Sequence, residues 1–378
     1  MRHMKQWIAL LLAVVLVLGL VACAAQEQAP TAEEPASTQE IVQPEEPAAE
    51  ETPVEEPAQE EPAEEPEASG KRTEYPLTIT TYNYEKEQVE FTFDKAPERV
   101  WAQSQNNIEI LLALGLADRI AGAYGLDGEI RDELAGEFAK LNYYESMPSK
   151  EEIIALEPDF ITGWYSTFSD KRLGDVAFWQ ERGIGTYMSL NSGCTGPAAD
   201  FPRTVENECQ DILTLGMIFD VQDRAEALVE EIRQELQKVE DYLSGKERLS
   251  VAVLEDEGGS YRVYGEDTLG GDVAIAGGAE LCVGKHGENG NISAEDLIAV
   301  NPDAIFMVWY DGYTVGDVDY AGEHVVKLIT ENPAFASLDA VQNGRVFAIN
   351  LKYIYCSGMN TLDGVKVVAQ NLYPELYR

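Results

Sequence analysis

Residues 151–161, Glu-Glu-Ile-Ile-Ala-Leu-Glu-Pro-Asp-Phe-Ile, return as residues 295–305, Glu-Asp-Leu-Ile-Ala-Val-Asn-Pro-Asp-Ala-Ile. The leading acid, the central Ile-Ala, the Pro-Asp pair and the final Ile are identical. Each copy reads as a helix that opens on an acid, a Pro-Asp turn, and a buried strand. A unit that occurs twice predicts two lobes with a common substructure. Aromatic residues follow each strand, Gly163-Trp164-Tyr165 in the first copy and Val308-Trp309-Tyr310 in the second. Ligands of open α/β sheets sit beyond the carboxyl ends of the strands, so both Trp-Tyr pairs are expected to face a cleft between the lobes.

Outward from these repeats, short apolar runs alternate with helical patterns, which argues for α/β layers. Arg99–Gln103, Phe160–Thr162, Leu249–Leu254, Ala304–Val308 and Arg345–Asn350 read as buried strands, and Ile108–Leu114 as a helix that stops at Gly115. Ala225, Leu228, Val229, Ile232, Leu236, Val239 and Leu243 recur at spacings of three and four, which is the signature of one long amphipathic helix. Asp220 is its predicted N-cap, with Asp223 three residues on, and Gly245 its stop. The expected class is α/β, with two α/β lobes (71–219 and 246–378) joined by a single linking helix (220–245) and a ligand cleft between them.

The N-terminal segments predict location. Arg2 and Lys5 precede an apolar run from Trp7 to Ala22, short for a membrane span of about 20 residues and suited to a secretory signal. Its end, Leu20-Val21-Ala22-Cys23, resembles the bacterial lipobox, whose Cys becomes the lipid-modified first residue of the mature protein; that resemblance makes residues 1–23 a lipoprotein signal and Cys23 the membrane anchor. Residues 24–70 hold 15 Glu and 8 of the 17 Pro, with no aromatic residue. They offer no apolar surface to offset chain entropy, and are expected to be a disordered acidic tether holding the folded part off the membrane's outer face.

Composition excludes several functions. With 68 acidic against 27 basic residues and a formal charge of −41, the chain repels phosphate backbones, so no nucleic-acid partner is expected. Beyond the signal there are two histidines, His286 and His324, without zinc-ligand neighbours at helical spacing, and the sequence lacks GxSxG, HExxH, GxxxxGK[ST] and GxGxxG. An enzyme, a resident metal site and a resident cofactor are therefore not expected. Four cysteines lie in the folded part. Cys194 with Cys209, and Cys282 with Cys356, can pair in an oxidising compartment; four unpaired thiols are the alternative.

The order of Pro97-Glu98-Arg99-Val100, Ile108 to Gly115, Asp118 to Gly122, the two Glu-to-Pro-Asp repeats, Ala276-Gly277-Gly278, Ala340 to Val346 and Leu372-Tyr373-Pro374-Glu375 resembles the solute-binding proteins of ABC importers for ferric siderophores, haem and cobalamin. In that family an exposed Glu on each lobe docks into arginine pockets of the two permease subunits. By position these are Glu151 and Glu295, the alternative being that both merely favour the first turns of their helices. The resemblance implies a monomeric binding protein for a small-molecule chelate, of the ferric hydroxamate type, with haem or a corrinoid as alternative ligands and a non-transporting surface receptor or adhesin as an alternative role. Candidate ligand contacts are Trp101, Trp164, Tyr165, Tyr261, Tyr264, Trp309, Tyr310 and Tyr353, with Arg262 as the cation placed to meet an anionic group. The loop Ser192–Phe201 departs from the family pattern.

Overall fold

The computed structural model describes residues 70–193, 202–283, 290–310, 314–315, 318–319 and 322–378. The signal, Cys23, the tether, Cys194, His286 and most of the loop 192–201 lie outside these residues.

In the first lobe, β1 (Leu77–Tyr82) and β2 (Gln88–Phe93) form an antiparallel hairpin. Strands β3 (Val100–Gln103), β4 (Ile120–Tyr124), β5 (Tyr143–Tyr144), β6 (Phe160–Gly163) and β7 (Gly185–Met188) build a parallel sheet in the order β5-β4-β3-β6-β7. Helices α1 (Gln105–Ala113), α2 (Lys150–Ala155), α3 (Val176–Gln180) and α4 (Val205–Ile218) accompany it. The linking helix is α5 (Gln222–Leu243), 22 residues or about 33 Å long. It buries Ala225, Val229, Ile232, Val239 and Leu243, the predicted face.

The second lobe carries β8 (Ser250–Asp256), β9 (Tyr261–Val263), α6 (Leu269–Ala276), β10 (Glu280–Leu281), β11 (Asn291–Ile292), α7 (Ala294–Val300) and β12 (Ala304–Trp309). After the short pair β13 (Thr314–Val315) and β14 (Val318–Asp319) come α8 (Gly322–Thr330), β15 (Val346–Asn350) and α9 (Asn360–Leu372). Its sheet runs β11-β9-β8-β12-β15, with β10 on the near half of β8. Strands β8, β12 and β15 are parallel, and β9 and β11 add antiparallel at the edge.

The sequence repeat is a repeat of hydrogen bonds. Ser149 accepts from the Glu152 N–H while the Glu152 carboxylate accepts from Ser149 N, and Ser293 and Asp296 repeat this capping box on α7. One residue faces inward from each helix, Ile153 and Leu297. Both helices end in a left-handed residue before the proline, Glu157 with φ 51° and Asn301 with φ 47°. Asn tolerates that backbone, whereas in Glu it costs about 1 kcal/mol. The following Asp then pins the start of the neighbouring strand. Asp159 accepts from the N–H groups of Glu98 and Arg99 at 2.8 Å each, and Asp303 accepts from Ser250 N and Oγ at 2.9 and 2.7 Å. The repeated Pro-Asp is thus a clamp between a crossover helix and the central strand.

One expectation needs correction, and one pair of alternatives is decided. Asp220 does not cap α5. It adopts φ 58° after α4, and its carboxylate accepts from Thr73 N and the Arg72 guanidinium, both at 2.7 Å. The N-cap is Val221, without a side-chain bond. A left-handed residue closing one helix cannot also be the extended residue that opens the next. Cys282 and Cys356 do not pair: Cys209, Cys282 and Cys356 are free thiols. The Cys282 Sγ instead donates to the Val251 carbonyl at 3.2 Å, and Cys356 is buried at the start of the turn into α9.

Candidate ligand cleft

The carboxyl ends of both parallel sheets face one recess. A cavity of about 810 Å³ is walled by Leu126 and Asp127 after β4, Tyr143 and Glu145 at β5, Trp164 after β6, Tyr310 after β12, and Leu351 and Tyr355 after β15. Apart from Phe138, which ends a short helix before β5, the wall residues lie at or beyond strand ends. A second cavity of about 860 Å³ shares Gly128 and Lys352 with the first and is walled by Trp309 and Tyr353. A third, of about 130 Å³, shares Tyr355 and is walled by Arg203, Arg262, Tyr264 and Asp267.

Trp164 is held by both lobes. Its indole N–H donates to Asn106 Oδ1 at 2.8 Å, and its ring meets Tyr355 edge-on at 5.5 Å. Asn106 is itself fixed, because it is buried and donates to Ser189 Oγ at 3.2 Å beside Asn107, which accepts from Thr162 Oγ1 at 2.8 Å. The indole is therefore preorganised before any ligand enters. Burial pushes the hydroxyls of Tyr310, Tyr353 and Tyr355 above the usual phenol range, and the Asp127 carboxyl above the usual carboxylate range.

The other sequence-predicted contacts divide. Tyr165 stacks on Tyr84 at 5.8 Å, next to Trp164 but not on the wall of any of these three cavities. Tyr264 is buried and its hydroxyl donates to Glu255 Oε2 at 2.8 Å, so only its ring is presented to the small cavity. Trp101 is not at the cleft. It is 0% exposed inside the first lobe, against Tyr144 and over Gly122, where a Cβ would approach the indole to 2.9 Å. Tyr261 is likewise a core residue, edge-on to Phe335. The cleft also contains residues that sequence reading passed over: Tyr143, Glu145, Arg203 and Tyr355. Tyr355 stands past the predicted strand Arg345–Asn350, and the carboxyl-end rule that selected Trp164 selects it too. A two-residue strand such as β5 carries no periodic signal.

Buried acids bind the lobes together behind the cleft. Glu208 on α4 accepts from Gly358 N at 2.6 Å and Asn191 Nδ2 at 2.7 Å. Glu109 on α1 accepts from Asn360 Nδ2 at 2.5 Å. Asp272 on α6 accepts from Val205 N at 2.7 Å, which caps the start of α4 from the other lobe. Arg131 also reaches across to Asp363. Burial raises Glu109, Glu208, Asp211 and Asp272, and the charge of Glu208, one turn away, raises Asp211 further. An acid whose folded value is raised contributes stability that is complete below its unfolded value and lost as pH rises through the folded one. The melting temperature is therefore expected to rise as pH is lowered from neutral towards the ordinary carboxylate range. The cap acids Glu152 and Asp296 shift the other way but are fully exposed and screened. A melting temperature that falls over this interval contradicts the role given to the buried acids.

Glu151 and Glu295, the second residues of α2 and α7, are exposed and line none of the three cavities. Each has an isoleucine one turn later, Ile154 at 42% and Ile298 at 37% exposure. An acid and an exposed branched apolar residue thus recur at the same two places on both lobes. Among the described residues no group of three or more His, Cys, Asp or Glu is arranged to hold a metal ion, and no helix is long and apolar enough to cross a membrane.

A family described as periplasmic binding protein matches residues 100–353. The crystal structure of a periplasmic binding protein from Veillonella parvula is 30% identical, with TM-score 0.71, covering 81% of this chain and 94% of that one. An ABC-type Fe3+-hydroxamate transport system protein from Saccharomonospora viridis shares the fold with TM-score 0.58 at 22% identity, over 79% of this chain and 100% of that one. YvrC of Bacillus subtilis, named an uncharacterized ABC transporter substrate-binding lipoprotein, is 22% identical over 315 residues, 82% of this chain and 90% of its own length.

Proposed function

Because the chain belongs to the periplasmic binding protein family, we propose that it is the extracytoplasmic substrate-binding component of an ABC importer, anchored to the membrane through Cys23, and that it captures a ferric chelate of the siderophore type and delivers it to the permease. The observation that carries this reading is the aromatic cavity of about 810 Å³ to which both lobes contribute, Tyr143 and Trp164 from one and Tyr310 and Tyr355 from the other. Its volume suits a ligand of chelate size, and its aromatic faces suit a flat or greasy surface. The Trp164 and Tyr355 rings touch across the lobes, so a ligand between them is sensed by both. The name of the Saccharomonospora viridis relative supports a ferric hydroxamate, and the Bacillus subtilis relative, a lipoprotein by name, supports the anchor.

The recurrent Glu151/Ile154 and Glu295/Ile298 pairs support docking to two permease subunits. A carboxylate paired with a permease arginine is a charge-assisted contact, and the neighbouring isoleucine supplies apolar area beside it. The protein's net charge of −41 favours a basic partner face and speeds encounter with it.

Tryptophan fluorescence of the purified protein, titrated with a ferric trihydroxamate, a ferric tricatecholate, haem and cobalamin, tests the ligand class. Saturable submicromolar quenching by at least one ferric chelate is expected; quenching by haem or cobalamin alone moves the function to those ligands, and no response from any of the four or from a ferric hydroxycarboxylate removes the proposal. For the anchor, Cys23→Ser is expected to move the protein from the detergent phase to the aqueous phase on phase partition. Unchanged partition refutes lipidation at Cys23.

A further inference from the structure

The small cavity at the edge of the cleft has a chemistry of its own. Arg203 and Arg262 approach it from different parts of the chain, Arg203 just before α4 and Arg262 on β9. Acids outnumber bases 68 to 27, so an arginine in this protein is rarely far from a carboxylate. Even so, half-buried Arg203 makes no hydrogen bond or ion pair among the described residues. Arg262 stands 3.8 Å from Glu255 Oε2, an oxygen that already accepts from the Tyr264 hydroxyl at 2.8 Å. The Tyr355 hydroxyl, on the wall shared with the large cavity, likewise has no hydrogen-bond partner among the described residues. Asp267 is the one acid on the same wall.

The two arginines and Tyr355 together offer unspent donors around a space of about 130 Å³, room for a carboxylate-sized group and not for a chelate. Burial raises the Tyr355 hydroxyl, and the charges of Arg203 and Arg262 oppose that rise, which places both guanidinium groups within electrostatic reach of it. Burial also keeps the Cys356 thiol on the same wall neutral, so it adds no negative charge.

We propose that this cavity is a seat for a carboxylate arm of the ligand: the body of the chelate occupies the aromatic cavity, and a free carboxylate reaches past Tyr355 to Arg203 and Arg262. The inference rests on the reading of the aromatic cavity as the chelate site and narrows its ligand to one that carries an acid. Two sources supply this chemistry, a ferric hydroxycarboxylate chelate and the propionates of haem, and a neutral trihydroxamate lacks it.

The test compares acids with their esters. The purified protein is titrated with the ferric complex of a citrate-based chelator and its methyl ester, with haem and haem dimethyl ester, and with a neutral ferric trihydroxamate. Loss of a charge-assisted contact predicts that one acid binds at least about 10-fold tighter than its ester. Arg203→Gln and Arg262→Gln are each expected to abolish that preference while leaving the ester's affinity unchanged, and the acid that shows it identifies the source. Should either arginine variant melt lower than the parent, Tyr355→Phe, which keeps the ring and removes one hydroxyl, must still weaken the acid more than the ester. Equal binding of acid and ester, or binding of the neutral trihydroxamate alone, overturns the carboxylate seat and leaves the chelate site standing. Failure of all five probes overturns the chelate site as well.

Discussion

Replacing Glu151 and Glu295 together with alanine is expected to leave ligand titrations of the isolated protein unchanged while uptake in cells collapses. Neither side chain lines a cavity, and the capping boxes that hold α2 and α7 use the next residues, Glu152 and Asp296. The substitutions therefore remove two exposed charges without touching a cap. Each truncated carboxylate–arginine pair at an interface costs about 2 kcal/mol or more, which is about 30-fold in affinity per site. Two sites lost together leave little productive docking at physiological concentrations. Charge reversal to Lys should deepen the loss, and Ile154→Ser with Ile298→Ser should weaken uptake less. Normal uptake by the charge-reversed pair would return both acids to a role in helix dipoles alone.

The second large effect falls on affinity. Trp164→Ala is expected to weaken ligand binding by about 1 to 3 kcal/mol, roughly 5-fold to 150-fold, with unaltered permease docking. The indole is fixed by Asn106 and leans on Tyr355, so its removal deletes a preformed wall and loosens the facing one. Trp309→Ala, on the neighbouring cavity, is expected to cost less. Trp101→Ala should behave differently from both, lowering the melting temperature through a core void, since that ring is fully enclosed. An unchanged affinity in Trp164→Ala would move the ligand out of the aromatic cavity.

The contrast between Trp101 and Trp164 shows how far the sequence could be read. Both are tryptophans of a parallel strand region, and both looked like contacts. Trp101 is the second residue of β3, where layers cover both faces of the sheet, whereas Trp164 follows the last residue of β6. Position relative to the strand end decides between core and cleft, and the end of a four-residue strand is hard to fix from composition. The repeated Pro-Asp units and the linking helix were legible because their signals are periodic or duplicated. Asp220 misled because only three residues, Phe219 to Val221, separate two helices, and the pattern of α4 before it is weaker than that of α5. Arg203 and Tyr355 were not legible as partners. They are far apart in sequence, and only the meeting of the lobes brings them to one wall.

The most direct measurement of the central claim is the position of iron in crystals of the protein grown with a ferric chelate that quenches its fluorescence, located by anomalous scattering at the iron edge. The account predicts one iron site inside the cavity bounded by Trp164, Tyr310 and Tyr355. Iron bound at the outer surface, or on the helices that bear Glu151 and Glu295, would contradict it.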